Sequence, residues 1–545
     1  MLHSAFDVIT REVIRGGLEY IAEEMGIILR NAAYSTNIKE RMDHSCSLFD
    51  FSGRMMAQAE HIPVHLGAMP LTVKSIRKEF QGEIFPGDSF ILNDPYLGGT
   101  HLPDITIVTP IFIQEELVGY SVSRAHHNDI GGMTPGSMPG NATDIFQEGL
   151  RIPPIKIVNE GKISRDILSL IMTNSRTPKI RKGDLMAQLS ANWTGEKRLK
   201  ELIAQKGLDT YKLAVDEILN YSEKRFLAIL KQIPKKEAIG IDYLDNDGII
   251  QDKIKLQVTV KITNEGFLFD FSGTSSQVKG AVNCPYAVTL SGSYYILRAV
   301  SDPTIPANEG LYRHLKVIVP EGTILNAKSP AAVVGGNVET SQRIVDTLLK
   351  AFAKIIPERI PAASQGTMNN LLIGGTDLKG ETFTFYETIG GGVGARPNKD
   401  GVDGIHSNMT NTMNTPIEEI EARYPLIVRE YSLRENSGGL GKYRGGLGIK
   451  RVFQTKVPVI ISLLGERQKL TPWGIESGED GESGIYYKIT TDNRKITLNG
   501  KSTSNLEANE QIIIETPGGG GWGKRSSRNK ESIENDKKDK KMTYD

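Results

Sequence analysis

The sequence predicts a multidomain α+β protein: an N-terminal helix with a β-hairpin metal-site domain, followed by mixed, β-rich domains. Three observations carry that reading. An apolar stripe at helical spacing opens the chain, short β-rich runs broken by turn residues replace it from Phe85, and glycine-rich sequence takes over after Pro361. With 545 residues there is room for several domains, divided here into 1–235, 236–360 and 361–523, with a disordered tail at 524–545.

Ile14, Leu18, Ile21, Met25, Ile28 and Ala32 recur at intervals of four and three, which places them on one face of a helix from about Asp7 to Tyr34. Asp7 suits its N-cap, and Gly16-Gly17 weaken it unless a neighbour packs closely there. Pro86-Gly87-Asp88 opens a strand at 89–92, and Asn93-Asp94-Pro95 closes it. Ile105 to Ile113 reads as a strand in which Pro110 implies an edge position or a bulge. Leu117 to Ala125 is its hairpin partner, with Val118, Tyr120 and Val122 on one face and Gln114-Glu115-Glu116 as a three-residue loop. Helices return from Lys182 to Leu230 and end before Pro234. Strands follow at 254–262 and 266–271, then a helix from Ser341 to about Ile355 built on Ile344, Leu348, Phe352 and Ile355. The tail from Lys524 is charged in both signs and nearly free of apolar residues, a composition that predicts disorder.

Lys+Arg and Asp+Glu are both 65, so the chain has no net positive charge with which to hold nucleic acid. No apolar run reaches membrane-span length, and the N-terminus lacks a basic segment followed by an apolar one. A soluble, cytoplasmic protein without a membrane partner is expected. Two cysteines, Cys46 and Cys284, are too few for a disulfide framework or a four-thiolate zinc site.

The chemistry concentrates at the hairpin. Three of the nine histidines, His101, His126 and His127, flank it together with Asp104 and Asp129. A loop centred on Glu115 pairs residues whose numbers sum to 230, which sets Asp104 opposite His126 at a distance where two side chains can share one ion. Imidazole and carboxylate ligands suit zinc, manganese or iron. A 2-His-1-carboxylate iron site is a rival metal reading, and a polar hairpin end bonded only to backbone is the plain alternative. Asp43 and His44 follow the first helix in what, alone, reads as a solvated loop. His61 and His65 are four apart, but Pro63 breaks the helix that would align them. Gly335-Gly336-Asn337, ahead of the Ser341 helix, suits either an anion or a tight turn. Gly518 to Gly521 is not a phosphate loop, because Arg525 stands where Ser or Thr is needed, and Gly390 to Gly394 precedes no helix. An ATP-driven step would therefore need a partner.

Asn93-Asp94-Pro95-Tyr96, Gly98-Gly99-Thr100-His101-Leu102-Pro103-Asp104 and His126-His127-Asn128-Asp129-Ile130-Gly131-Gly132 together resemble the hydantoinase B family. The resemblance continues through Gly335-Gly336-Asn337, Glu339 to Arg343, Tyr431 to Arg434, Ser437-Gly438-Gly439, Arg444-Gly445-Gly446 and Thr516 to Gly521. That family includes the B subunit of N-methylhydantoinase, the matching half of ATP-dependent 5-oxoprolinase, and a subunit of acetone and acetophenone carboxylases. The resemblance implies the B-type subunit of an ATP-dependent cyclic-amide hydrolase, in a hetero-oligomer, opening a hydantoin or 5-oxoproline type ring. A hydantoinase A-type subunit would bind ATP and phosphorylate the ring carbonyl, and a divalent metal on this chain would present water. The implied metal ligands are Asp43, His101 and His126, with Asp104 as a further ligand or a group behind them. Asp104, His127 and Asp129 are the expected catalytic groups. A carboxylase subunit and a non-catalytic scaffold for the A subunit are the alternatives.

Overall fold

The computed structural model of the chain describes residues 7–59 and 62–544. Its first helix, α1 (Val8–Ala32), starts where the Asp7 carboxylate accepts the Ile9 and Thr10 amides at 3.2 and 2.9 Å. Ile14, Leu18, Ile21 and Met25 are buried, but Ile28 is half-buried and Ala32 exposed, with Leu29 and Ala33 inside instead. A stripe spaced 4-3-4-3 repeats every 3.5 residues, and a straight helix of 3.6 drifts away from it by about 20° per heptad. Gly17 admits Leu202 of the helix Pro178–Lys206, whose methyls lie 3.4 Å from where a Cβ would be.

Seven antiparallel strands form the first sheet: β1 (His44–Asp50), β2 (Met55–Ala59), β3 (Ser89–Leu92), β4 (Asp104–Ile113), β5 (Glu116–His126), β6 (Ile155–Asn159) and β7 (Lys162–Ile163), in the order β2-β1-β5-β4-β3-β6-β7. The central hairpin reaches the expected register by an unexpected route. Its loop has two residues, Gln114-Glu115, not three, and Gln114 takes φ 54°. At the tip Ile113 pairs with Glu116 and Phe112 with Leu117; a bulge then leaves Val118 unpaired, so that Ile111 meets Gly119 and Asp104 still meets His126. The bulge also turns Val118 towards Ile111 and the α1 side, while Tyr120 and Val122 face the opposite core, so the three do not share a face. Pro110 lies past the last β3 pair, Phe90 with Val108, where the sheet is locally an edge.

A second sheet, β8 (Glu237–Leu244), β9 (Ile254–Ile262), β10 (Phe267–Asp270) and β11 (Leu315–Ile318), is covered by the helix Ser341–Ala353. Beyond it, β12 (Asn370–Thr376) and β13 (Thr382–Glu387) join strands 459–464 and 501–506, and a five-stranded sheet spans 426–515. One apolar core includes Phe49, Phe90, Tyr120, Leu256, Phe352 and Leu464, so it crosses all three sequence segments. Among the described residues, no helix is long and apolar enough to cross a membrane.

The glycine-rich segments are packing layers. A Cβ on Gly518, Gly519 or Gly520 would strike the carbonyl oxygens of Ser437, Val393 and Trp473. The tail departs from the expectation of disorder. It forms the helix Lys530–Lys538, where Arg528 bonds Asp400 at 2.8 Å and Asp536 at 2.6 Å, Arg444 reaches Asp536 at 3.0 Å, and Met542 is buried with Leu440 and Leu447. Composition misleads here because the few apolar side chains are aided by charges that find partners in another segment.

Candidate metal centre

Three neighbouring strands bring their ends together. The β1–β5 register sets Asp43 level with His126, whose amide donates to the Asp43 carbonyl at 3.0 Å, and the β4–β5 register sets Asp104 opposite His126. His101 arrives from the preceding turn, closed by the Asp104 amide on the His101 carbonyl at 3.0 Å. Its Nε2 lies 3.1 Å from Asp104 Oδ1 and 3.2 Å from His126 Nδ1; that Nδ1 is 3.3 Å from the same Oδ1. A suitable donor atom from each of the three lies within 4.8 Å of the others, and all three residues are buried.

The surroundings aim these donors. Thr100 Oγ1 donates to Asp104 Oδ2, Asn337 Nδ2 stands 3.4 Å from it, and His65 Nε2 is 3.6 Å away, its Nδ1 facing Ser45 Oγ at 2.9 Å. Asn37 Nδ2 donates to the His126 carbonyl at 2.8 Å and lies 3.5 Å from Asp43 Oδ2. The Tyr386 ring stacks on His126 at 4.7 Å, with the Arg41 guanidinium 4.5 Å from that ring. Burial opposes ionisation of Asp104, yet the charge of His101 and hydrogen bonds from His101, His126 and His65 hold its carboxyl well below the usual range. Burial lowers His126 despite its bond to Asp104, which favours a neutral imidazole.

These residues fit a divalent ion. Two imidazole nitrogens face each other across a distance that accommodates one shared proton, and a buried carboxylate oxygen sits within 3.3 Å of both. Beside them is a cavity of about 20 Å³, enough for one ion- or water-sized occupant, bounded by Asp43, His65, Asn337, Tyr386 and Thr412 among others.

His127 and Asp129, expected as catalytic groups, do not join the cluster. Strand alternation sends His127 to the other face, where Nε2 meets Gln188 Oε1 at 2.8 Å. Asp129 accepts the amides of Gly131, Gly136 and Arg176 at 2.9–3.1 Å and pairs with the Arg176 guanidinium at 3.0 Å, which anchors a loop. His65 joins the centre although its spacing from His61 across Pro63 gives no sign of it. His61 lies outside the described residues; Pro63 opens the short turn Pro63–His65 that brings His65 to Asp104. Gly336 settles as close packing, since a Cβ there would strike the Asn283 carbonyl; Asn337 beside it reaches the centre.

The model of the Hydantoinase B/oxoprolinase family matches residues 7–525. The chain belongs to that family. An uncharacterized protein of Methanocaldococcus jannaschii is 47% identical over 542 residues, covering 98% of this chain and 94% of that one. 5-oxoprolinase 1 of Arabidopsis thaliana is 40% identical over 543 residues, covering 95% of this chain but 42% of its own, so this hydantoinase B/oxoprolinase chain spans about two fifths of that relative. The crystal structure of an ATP-dependent caprolactamase from Pseudomonas jessenii matches with TM-score 0.92 and 28% identity over 99% of this chain and 95% of that one.

Proposed function

We propose that this chain is the B-type component of an ATP-dependent cyclic-amide hydrolase, acting on a hydantoin- or 5-oxoproline-like ring that an A-type partner activates with ATP. The observation that carries the reading is the buried His101–Asp104–His126 cluster in a member of this family. The Arabidopsis 5-oxoprolinase supports it, because the larger part of that protein lies outside the matched region and leaves room for an ATP-using portion. The caprolactamase, named as ATP-dependent, supports ring opening of a cyclic amide.

Asp43, His101, Asp104 and His126 would hold the ion. When bound, a divalent ion supplies Lewis acidity and lowers the pKa of a coordinated water towards about 7. The chain's own residues set the conditions for that chemistry. Asp104 keeps its negative charge, and Thr100, Asn337 and His65 fix its carboxylate from the Oδ2 side, leaving Oδ1 towards both imidazoles. Tyr386 fixes the plane of His126 by stacking, and Asn37 ties the His126 backbone to the Asp43 side chain. Burial of the whole cluster excludes bulk water, which would otherwise destroy an activated ring.

The test is elemental analysis followed by reconstitution. About one divalent ion per chain is expected, lost in His101→Ala and His126→Ala, with ring opening and phosphate release appearing only when an A-type component and ATP are added. Equal metal in wild type and both variants would remove the centre. Ring opening by this chain alone would remove the division of labour.

A further inference from the structure

On the far side of the loop that carries His101, a cavity of about 420 Å³ opens to solvent between the helices Ala68–Glu79 and Tyr286–Val300, a volume in the range of small-molecule sites. Its lining is positive: Lys74, Lys78 and Lys328 face one acidic side chain, Glu321. Lys328 and Glu321 pair at 3.1 Å and neutralise each other. Lys74 and Lys78, one helical turn apart, have no carboxylate within ion-pair distance among the described residues, so two like charges are held side by side over the cavity.

A second observation points the same way. The helix Tyr286–Val300 begins at the cavity, where Tyr286 and Ala287 form part of the wall. Its N-cap is Pro285, which offers no capping side chain, and its first turn has no acidic residue. In this 15-residue helix the Val288 amide bonds the Pro285 carbonyl at 3.1 Å, while the Tyr286 and Ala287 amides have no acceptor among the described residues and favour a negative ligand. Tyr96 and Tyr286 add aromatic surface, with the Tyr96 hydroxyl fixed on the Ala331 carbonyl at 2.6 Å.

We propose that this cavity binds a small phosphorylated anion, with Lys74 and Lys78 and the amides of the Tyr286 helix on the phosphoryl oxygens and the tyrosines beside any organic group. Lysines serve phosphate as point charges, and helix amides supply direction. The site is separate from the metal centre and does not rest on the hydrolase reading.

Calorimetric titration of the full chain with inorganic phosphate and with phenyl phosphate tests it. Saturable binding is expected, weakening as salt is raised, and falling about tenfold or more in the double variant Lys74→Ala/Lys78→Ala while its thermal midpoint stays that of wild type. Binding should persist after chelator treatment. Tighter binding of phenyl phosphate supports an organic phosphate as the ligand; equal binding supports the phosphate ion itself. Absence of binding by either probe, equal affinity in the double variant, or loss of binding with chelator would overturn the proposal, the last by moving the anion to the metal centre. Since the metal content of the chain is measured separately, failure here leaves the proposed activity standing.

Discussion

Two buried clusters of charge meet the segment 336–353, one at each end, and they differ in what answers their carboxylates. At the helical end, Arg467 pairs with Asp346 at 2.6 Å and with Asp242 at 3.4 Å, Arg343 with Asp346 at 3.1 Å and with Glu466 at 3.4 Å, Lys350 with Asp242 at 3.3 Å, and Lys501 with Glu466. Burial raises all three carboxyls; at Asp242 the charges of Arg467, Arg343 and Lys350 outweigh it and hold the group well below its ordinary value, whereas at Asp346 and Glu466 burial wins and leaves them above it. At the other end, Asn337 touches Asp104, whose neighbours are histidines. The cations nearby are directed elsewhere: Arg41 to Thr388 and the Tyr386 carbonyl, Arg124 to Thr106, Thr72 and the Gly98 carbonyl. The first cluster is complete in cations, each carboxylate having at least one, and joins β8, the helix and the segment after β13. The second offers acceptors and imidazole lone pairs, which a cation would complete.

The sharpest way to break the comparison is to remove a cation from the complete cluster. Arg343→Met takes one of two cations from Asp346 and from Glu466, which keep Arg467 and Lys501, and a loss of about 3 kcal/mol is expected in denaturant unfolding, the same with or without chelator. A loss that depended on chelator would show that the two clusters are not distinct. Next comes the ion itself: divalent metal at a hundred times its dissociation constant should stabilise wild type by about 2.7 kcal/mol, and should not stabilise His101→Ala. Asp104→Asn keeps the shape and removes one charge. It should weaken metal retention and, in the reconstituted complex, raise the ratio of phosphate released to ring opened. An unchanged ratio at unchanged rates would take Asp104 out of the site.

Between the clusters sits Glu339, which burial pushes up to about 8. The folded protein then keeps a proton that the unfolded chain releases near pH 4.5, so stability falls as pH rises between those values. Its share of the fall from pH 6 to pH 8 is about 2 kcal/mol, and Glu339→Gln should remove that share, as read from unfolding curves at each pH, while Glu148, which burial also pushes up to about 8, keeps its own. A variant that retained the full slope would assign it to other groups. The smallest effect concerns the tail. Truncation after Gly523 removes Arg528, Asp536 and Met542, which leaves Arg444 paired with Asp403 alone and Asp400 with only the Arg444 amide, so the thermal midpoint should drop by a few degrees, corresponding to about 1–2 kcal/mol, with metal content unchanged.

Periodicity and turn chemistry in the sequence by themselves determined α1, the strands 89–92 and 254–262, the Ser341 helix and the pairing of Asp104 with His126. These depend on backbone geometry within a few residues or across one short loop, where 3.6- and two-residue periods act directly. Even there one detail was compensated: a loop one residue shorter and a bulge one residue long cancelled. The family motifs placed Asp43 beside the hairpin, and the β1–β5 register supplies the reason. Tertiary structure alone decided that His65, Asn337 and Tyr386 close around the centre, that His127 turns away from it, and that the charged tail docks. Those contacts join residues up to hundreds of positions apart, so no local period encodes them; they follow from how sheets and helices share one core.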